Sequence, residues 1–412
     1  TTTIASLSWR ELFQDKHLQS LIDTALVRNT DLRTAHLRIE QAKAVLMNAR
    51  LSYLPSVELS AEGTTNNSNI TMSNSYTLGG LANWEIDVFG KNRDNVRANK
   101  KSYYANEASY QNAVMNLCAQ VATVYFNLRA YQQQLIVANQ NIISEKNILD
   151  ITIARYEAGL GTQLDVSQAK SVYYNTSASI PRLDAYITQC VNELAILLGT
   201  YPSSLSNTFI NIDGLPSIRH IISTGIPADV IRRRPDIRQA ELLIESQAAA
   251  IGATKADYYP KFKITGSFGY LSHDIEKFFN NESQMFQLSP SISWNIFSGM
   301  EVRKAVQMAE IALDESIENY NNAVLNAIQE VETEMSNYAN ALKTIEMGQQ
   351  VVEQGNKTLE LSIDLYKRGL GTFTNVLDAQ RTVLSDQNYL VSAWNSALLA
   401  LVRLYTALGG SL

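Results

Sequence analysis

Residues 261–271 read Lys-Phe-Lys-Ile-Thr-Gly-Ser-Phe-Gly-Tyr-Leu, so that every second position is either apolar or glycine. Side chains of a β-strand alternate between its two faces. This pattern therefore predicts a strand with Phe262, Ile264 and Phe268 on one face and with Lys263 and Ser267 on the other.

Three further segments alternate in the same way, with Leu81 as an exception. Residues 286–296 place Ile292 and Trp294 on an apolar face, while residues 57–62 and 77–88 form a second pair of alternating segments that includes Trp84. Strict alternation over about ten residues indicates that one face meets an apolar phase and the other meets water. A soluble sheet packed on a protein core has the same pattern, so alternation alone leaves both interpretations open.

The chain also contains two copies of one unit. The segment from Tyr156 to Thr162 recurs 210 residues later, from Tyr366 to Thr372, and Pro55 recurs 205 residues later as Pro260. An insertion of five residues between Pro260 and Trp294 accounts for the change of offset. We therefore predict a tandem duplication, with copy one at residues 1–199, a linker at 200–226 and copy two at 227–412.

Each copy is predicted to contain a helix, two strands, a very long helix, a short turn and a closing helix. In copy one these elements are 19–52, a hairpin within 55–89, 91–157 and 163–198; in copy two they are 227–257, a hairpin within 260–297, 300–368 and 373–408. Residues 317–345 carry apolar side chains at steps of three and four, which is typical of coiled-coil packing. The predicted fold class is therefore mainly α with a small antiparallel β part.

The lengths of the helices indicate how they are arranged. At 1.5 Å per residue, residues 91–157 span roughly 100 Å. The two shorter helices of the same copy have about as many residues together, so we expect them to stack end to end against the long helix. The linker at 200–226 would then lie about halfway along the long helices, in an equatorial belt.

Composition excludes several classes of protein. The chain has 412 residues, a net charge of −6 and only 27 Gly and Pro residues together. Acidic balance disfavours nucleic-acid binding, and the longest apolar run near the C-terminus, 397–402, is too short for a membrane helix. Two cysteines and four scattered histidines form no metal-binding pattern. We predict neither a cofactor nor an enzyme active site.

The strands fit a membrane better than a protein core. Their length matches the 9–11 residues of a tilted membrane strand, and aromatic residues flank the apolar bands. A bilayer allows no open sheet edge, yet four strands cannot close a barrel. Eight strands leave an interior filled by side chains, so an open, water-filled pore requires at least three chains.

Several ordered motifs are similar to those of the TolC-like outer-membrane efflux proteins, in the subgroup that serves resistance–nodulation–division pumps. The motifs that carry the resemblance are Trp9-Arg10-x-x-Phe13, Trp84-x-x-Asp87-x-Phe89-Gly90, the segment from Ile226 to Glu241, and Tyr366-x-x-Gly369 followed by Leu377-Asp378-Ala379-Gln380. The resemblance covers nearly the whole chain. It implies a homotrimer with a twelve-stranded transmembrane β-barrel in outer-membrane lipid and a helical tunnel in the periplasm of a Gram-negative bacterium. The implied partners are a periplasmic adaptor protein and an inner-membrane pump.

The resemblance also implies roles for particular residues. The family closes its tunnel near the glycine-containing turns, and the matching positions are Asp378, Thr374 and, in copy one, Asp165. The helix tips that would contact the adaptor carry Gly159, Gly161, Thr162, Gly369, Gly371 and Thr372. The expected function is a passive exit duct for drugs or other small solutes, and the sequence does not identify its cargo.

Several features have a second interpretation. Asp378 could be an ordinary solvated helix residue, and Asp165 could be an acidic residue that stabilises the first turn of its helix. The run Arg232 to Arg234 could bind lipopolysaccharide or a partner, but we favour a solvated helix start that pairs with Glu241. The chain as a whole has two alternatives, a type I secretion channel and a soluble helical scaffold.

Overall fold

The structure, a computed structural model, describes residues 12–67, 72–205, 232–297 and 300–410. Its internal contacts divide the chain into two compact units. The helical unit comprises residues 1–35, 110–235 and 324–412, and the sheet unit comprises residues 36–109 and 236–323. Both units draw residues from both predicted copies.

Seven α-helices and four β-strands are the main elements of the described residues, besides four 3-10 helices of three residues each. In chain order they are α1 (Lys16–Arg28), α2 (Thr30–Leu51), β1 (Ser56–Asn67), β2 (Met72–Ile86), α3 (Lys91–Glu157), α4 (Gln163–Leu197), α5 (Pro235–Lys255), β3 (Lys261–Ser272), β4 (Gln284–Ser293), α6 (Glu301–Lys367) and α7 (Phe373–Ala407). The fold class is the predicted one, mainly α with a small antiparallel sheet.

Both very long helices are present as predicted, with α3 and α6 each spanning 67 residues. Their ends lie within one residue of the predicted bounds. The division of the chain into copies at 1–199 and 227–412 describes its sequence and stays a prediction. Most of the linker expected to form an equatorial belt, residues 206–226, lies outside the described residues.

The prediction of one continuous helix over 19–52 was wrong, because the chain forms α1 and α2 with a break at Asn29. The Asn29 backbone is extended, with φ −60° and ψ 130°. Its Oδ1 accepts a hydrogen bond from the backbone N–H of Leu32 at 2.9 Å, which is an N-cap contact to α2. Because the apolar periodicity continues across the break, helical periodicity alone does not reveal it.

The residues directly before α2 and α5 make the same kind of contact with the end of a closing helix. Asn29 Nδ2 donates to the carbonyl of Leu197 at 2.9 Å, and Arg234, which lies 205 residues later, donates from Nη1 to the carbonyl of Ala407 at 3.0 Å. Arg234 is buried and also pairs with Glu330 at 2.8 Å. The expected pairing of the arginine run with Glu241 was therefore wrong for Arg234, and it is Arg238 that pairs with Glu241.

The largest apolar cluster of the helical unit joins side chains of several helices. It includes Tyr125 and Phe126 of α3, Leu194 of α4 and Leu398 and Tyr405 of α7, all buried. The predicted stripe on α6 contributes Val331 and Tyr338 to the same cluster. Cys118 and Cys190 are also buried there as free thiols.

One helix of the described residues, α7, is long and apolar enough to cross a membrane by length and composition, although the sequence was expected to contain no such helix. Within its most apolar window, 56% of the residues are buried inside the protein. This degree of burial is typical of a core helix, and several residues of α7 contribute to the main core.

Candidate functional site

The four strands form one antiparallel sheet in the order β1-β2-β3-β4. The central pair joins the two copies, because β2 pairs with β3 in a register that places Gly80 opposite Phe268 and Ile86 opposite Phe262. In β3 and β4, Phe262 pairs with Ile292 and Phe268 pairs with Phe286. Paired residues of neighbouring strands share a face of the sheet. Most apolar positions of the four strands therefore line up on one face.

This apolar face is not covered by other parts of the described chain. Phe268 is 51% exposed, Ile292 is 67% exposed and Leu288 is 63% exposed. Other exposed apolar side chains of the strands and their ends are Val57, Leu59, Trp84, Ile86, Phe286, Trp294 and Ile296. Monomeric soluble proteins rarely expose a contiguous apolar surface of this kind.

Glycine at position 80 permits a close cross-strand contact on the apolar face. A Cβ atom at Gly80 would come within 2.5 Å of the Phe268 ring. The aromatic ring thus lies over the glycine, which is a way of covering exposed backbone in a sheet.

The opposite face of the sheet is mainly polar, although it also carries Leu81 and Leu271. It carries Glu58, Glu62 and Ser60 on β1, and the side chains of Lys263 and Glu85 approach to 3.9 Å between β3 and β2. Thr265 donates a hydrogen bond from its hydroxyl to Asn83 Oδ1 at 3.3 Å on the same face. This face is suited to water.

The two outer strands each have only one strand neighbour within the described chain. β1 pairs with β2 alone, and β4 pairs with β3 alone. The outer edges of β1 and β4 consequently present backbone N–H and C=O groups with no strand partner in the chain, which is a template for pairing with another strand.

Equivalent hydrogen bonds fix the base of each hairpin. Trp84 Nε1 donates to the carbonyl of Tyr53 at 2.9 Å, and Trp294 Nε1 donates to the carbonyl of Tyr258 at 3.0 Å. An indole with one polar end and one apolar end suits the boundary between an apolar phase and water. The two tryptophans predicted on the apolar face are therefore held in matching positions.

A small ion network lies beside these bases. Asp257 accepts from Lys91 Nζ at 2.6 Å and from Lys261 Nζ at 3.1 Å. Burial acts to raise the pKa of Asp257, but the hydrogen bonds and positive charges of the two lysines outweigh it, so the pKa is lowered. The network connects the first turn of α3 to the start of β3.

The two helical turns of the helical unit have the same backbone geometry. Gly159 and Gly369 both have φ +73°, which is the left-handed region that glycine favours. The next residue closes each turn, because Leu160 donates to the carbonyl of Arg155 at 2.8 Å and Leu370 donates to that of Leu365 at 2.9 Å. The leucine side chains at both turns are exposed.

Gly161 and Gly371, two residues further on, differ in the space around them. A Cβ at Gly161 would lie 3.4 Å from the backbone nitrogen of Tyr156, which is an ordinary contact distance. A Cβ at Gly371 would lie 3.2 Å from Leu365 Cβ, so a side chain there requires Leu365 to shift.

The helices that follow the two turns begin differently. Thr162 and Asp165 form a capping box, in which Thr162 Oγ1 accepts from the Asp165 N–H at 3.2 Å and Asp165 Oδ2 accepts from the Thr162 N–H at 3.0 Å. Thr372 is also an N-cap, but its side chain makes no capping hydrogen bond. The Asp165 carboxylate is thus engaged locally.

Thr374 and Asp378 lie one turn apart on α7, and both are exposed. The adjacent face of α7 is buried, with Phe373, Val376 and Leu377 in an apolar cluster. The structure therefore places Thr374 and Asp378 together on the free face of the first turns of α7, and it places Asp165 on the other helical hairpin.

One contact between the helical hairpin of α3 and α4 and the helical hairpin of α6 and α7 was not predicted from the sequence. Arg155, near the end of α3, donates from Nη1 to the carbonyl of Lys367 at 3.1 Å, and its guanidinium lies 4.7 Å from the centroid of the Tyr366 ring. Its Nη2 donates to the carbonyl of Leu160 at 3.2 Å. The equivalent residue of copy two is Leu365, so the repeat pattern gave no signal for this asymmetric link.

The described residues contain no group of three or more His, Cys, Asp or Glu side chains that could hold a metal ion. The sheet with one apolar and one polar face and the two helical turns are the features on which a function can be argued.

Comparison with known proteins gives concordant matches over the whole chain. A family model described as outer membrane efflux protein matches residues 21–200 and 226–410. The chain is 30% identical to the solvent efflux pump outer membrane protein SrpC of Pseudomonas putida, over 97% of this chain and 87% of that protein. It is 28% identical to the cation efflux system protein CusC of Escherichia coli O6:H1, over 98% of this chain and 88% of that protein.

Solved structures give the same result. The structure of the outer-membrane channel OprN is similar with a TM-score of 0.91 and 28% identity, covering 98% of this chain and 92% of that chain. The similarity includes the sheet and the helices alike, because nearly all of both chains is covered.

Proposed function

The chain belongs to the outer membrane efflux protein family, and we propose from this membership that three copies of it form the exit duct of a tripartite efflux pump. The protein acts in the outer membrane of a Gram-negative bacterium, with its helices in the periplasm. The proposal depends above all on the sheet, whose apolar face is exposed and whose two edges are open.

The open edges are the reason for several copies. In a bilayer each unpaired backbone group costs several kcal/mol, so β1 of one copy must pair with β4 of the next. Two copies would supply eight strands, and side chains would fill the interior of an eight-stranded barrel. Three copies supply twelve strands, which close into a barrel with an open lumen.

The polar face supports a water-filled lumen. Glu58, Glu62 and the pair formed by Lys263 and Glu85 would line the inside when the apolar face contacts lipid. A wet lumen of this kind conducts solutes passively. No catalytic step is needed for such a duct.

The helical turns are proposed to contact the periplasmic adaptor. Each turn exposes a leucine, Leu160 or Leu370, directly after a glycine, Gly159 or Gly369, whose own backbone is in the left-handed region. Two similar apolar tips on each copy would give a trimer six of them. The adaptor would in turn connect the duct to an inner-membrane pump of the resistance–nodulation–division class.

The narrow point of the duct is proposed to lie at Asp378. Three Asp378 carboxylates brought together at one level would form a ring that favours cations. Thr374 lies one turn nearer the tip on the same exposed face and would line the approach. Asp165 contributes less to this ring, because its carboxylate is engaged in the capping box with Thr162.

The cargo is proposed to be small solutes selected by the pump rather than by the duct. The relatives include a protein named for solvent efflux and one named for cation efflux. The two have nearly the same sequence identity to this chain, so identity does not favour either cargo. A duct that serves such different cargoes has no need for a specific binding pocket.

Conductance in planar bilayers tests the proposal. The assembled protein should migrate as a trimer on detergent gels and should give stepwise, cation-favouring conductance. Asp378→Ala should raise the single-channel conductance or weaken the cation preference, while Asp378→Glu should retain both. Absence of trimers and of conductance would contradict the duct, and an unchanged Asp378→Ala channel would contradict the ring.

A further inference from the structure

Glu145 is a buried carboxyl group in the contact between α3 and α4. Glu145 is only 3% exposed. Glu145 Oε1 accepts a hydrogen bond from the hydroxyl of Thr176 at 2.9 Å. Its Oε2 is also buried and has no hydrogen-bond partner among the described residues. A carboxylate has about four acceptor sites, so one hydrogen bond satisfies it poorly in its charged form.

The surroundings of this contact are apolar. Ile148 and Leu149, one turn further along α3, are buried in a cluster with Ala169 and Val172 of α4. Thr176 itself is buried. An ionised carboxylate in such surroundings carries a large desolvation cost, while a neutral carboxylic acid does not.

Burial raises the pKa of Glu145 to about 7, and the hydrogen bond from Thr176 opposes this shift by favouring the charged form. The next residue of α3, Lys146, pairs with Asp150 at 2.8 Å, and both side chains are about half exposed. On α4, Lys170 is exposed and Tyr173 packs against the same apolar cluster. On α7, Arg381 is exposed and Asp386 lies beside Gly355 of α6.

The second copy lacks this arrangement. The position equivalent to Glu145 is Gly355, and the position equivalent to Thr176 is Asp386. The carboxylate of that copy therefore lies on the shorter helix, α7, and Asp386 is half-buried. The hairpin of α6 and α7 is consequently an internal reference for the hairpin of α3 and α4.

We propose that Glu145 is a proton-binding site that controls how firmly α3 packs against α4. With the proton bound, the neutral acid stays buried and the two helices pack closely. When the proton leaves, the charged carboxylate favours local opening, in which water reaches both oxygens. This inference goes beyond the exit duct and does not depend on it.

The direction of the pH effect follows from linkage. In the opened state the carboxyl is solvated and its pKa is near the ordinary value for glutamate, below the value in the packed state. Packing is therefore most stable below the pKa of the open state and weakens as pH rises through that of the packed state. Between about pH 5.5 and about pH 8, the opening equilibrium should increase roughly thirtyfold.

Hydrogen–deuterium exchange of the full-length assembled protein tests the proposal. Protection factors, corrected for the pH dependence of intrinsic exchange, are measured for peptides around Glu145 and Thr176 and for the equivalent peptides around Gly355 and Asp386. Protection at Glu145 and Thr176 should fall roughly thirtyfold from about pH 5.5 to about pH 8. Protection of the reference peptides should change much less.

Two variants make the test specific. Glu145→Gln keeps the shape without the ionisable group, so its protection should be independent of pH. Thr176→Val removes the hydrogen bond that favours the charged form, so the fall in protection should move to higher pH. An equal fall in Glu145→Gln, no fall in the original protein, or a shift to lower pH in Thr176→Val would overturn the proposal. Should Glu145→Gln fail to assemble, the direction of the Thr176→Val shift decides.

Discussion

The helical unit and the sheet unit treat apolar side chains in opposite ways. In the helical unit, Phe126, Leu398 and Tyr405 are almost completely buried among other residues of the chain. In the sheet unit, Leu59, Phe286 and Leu288 are largely exposed. Both units are built from apolar residues at regular spacing, so the difference lies in what meets the apolar side. The helical unit supplies its own core, and the sheet requires lipid.

The difference also explains the spacing of residues in each unit. A helix that packs against neighbours needs apolar side chains every three or four residues, as Val331 and Tyr338 show on α6. A strand between lipid and water needs them at every second position, as Phe262 and Ile264 show on β3. The spacing of the apolar residues indicates whether a segment is a helix or a strand. Only the exposure of their side chains indicates whether the apolar face contacts protein or lipid.

The same substitution placed in each unit gives the largest expected contrast. Leu398→Ala in the core should lower the free energy of unfolding by about 2–5 kcal/mol, because it leaves a cavity at a residue that is 1% exposed. Leu288→Ala should change it by roughly 0.5 kcal/mol or less in detergent, where this side chain keeps an apolar solvent in both states. Thermal or denaturant unfolding of the purified protein measures both. Equal losses would show that Leu288 is packed against protein, and the contrast between the two units would fail.

A smaller effect distinguishes the two hairpins within the helical unit. Thr162→Ala removes the capping box with Asp165 and should destabilise the start of α4 by about 1 kcal/mol. Thr372→Ala should cost less, because the Thr372 side chain makes no capping hydrogen bond. Hydrogen exchange of the first turns of α4 and α7 compares them directly. A larger loss for Thr372→Ala would contradict the asymmetry of the caps.

Much of the fold could be predicted from the sequence because its patterns are long and repeated. Alternation over ten residues gave the four strands, and the offset of 210 residues between Tyr156 and Tyr366 aligned the two helical turns. The register of β2 with β3 then joined the apolar faces of both copies. Periodicity is reliable where many residues contribute to one signal.

Single-residue features were harder to predict. The break at Asn29 depends on a contact with Leu197, which is 168 residues away in the sequence. Arg155 links to Lys367 and Tyr366 through an asymmetry between the copies. Glu145 reads in the sequence as an ordinary polar residue of a helix, and only its burial reveals the unusual carboxyl. Such features depend on tertiary contacts that no local pattern records.

Labelling of cysteines introduced at adjacent positions of β4 tests most directly whether the sheet lies between lipid and water. The native Cys118 and Cys190 are buried, so background reaction should be low. In the protein reconstituted in membranes, Ser289→Cys should react with a charged, water-soluble thiol reagent, because position 289 belongs to the polar face. Leu288→Cys should resist it. Equal reaction at both positions, or faster reaction at position 288, would contradict a sheet that faces lipid on one side and a water-filled lumen on the other.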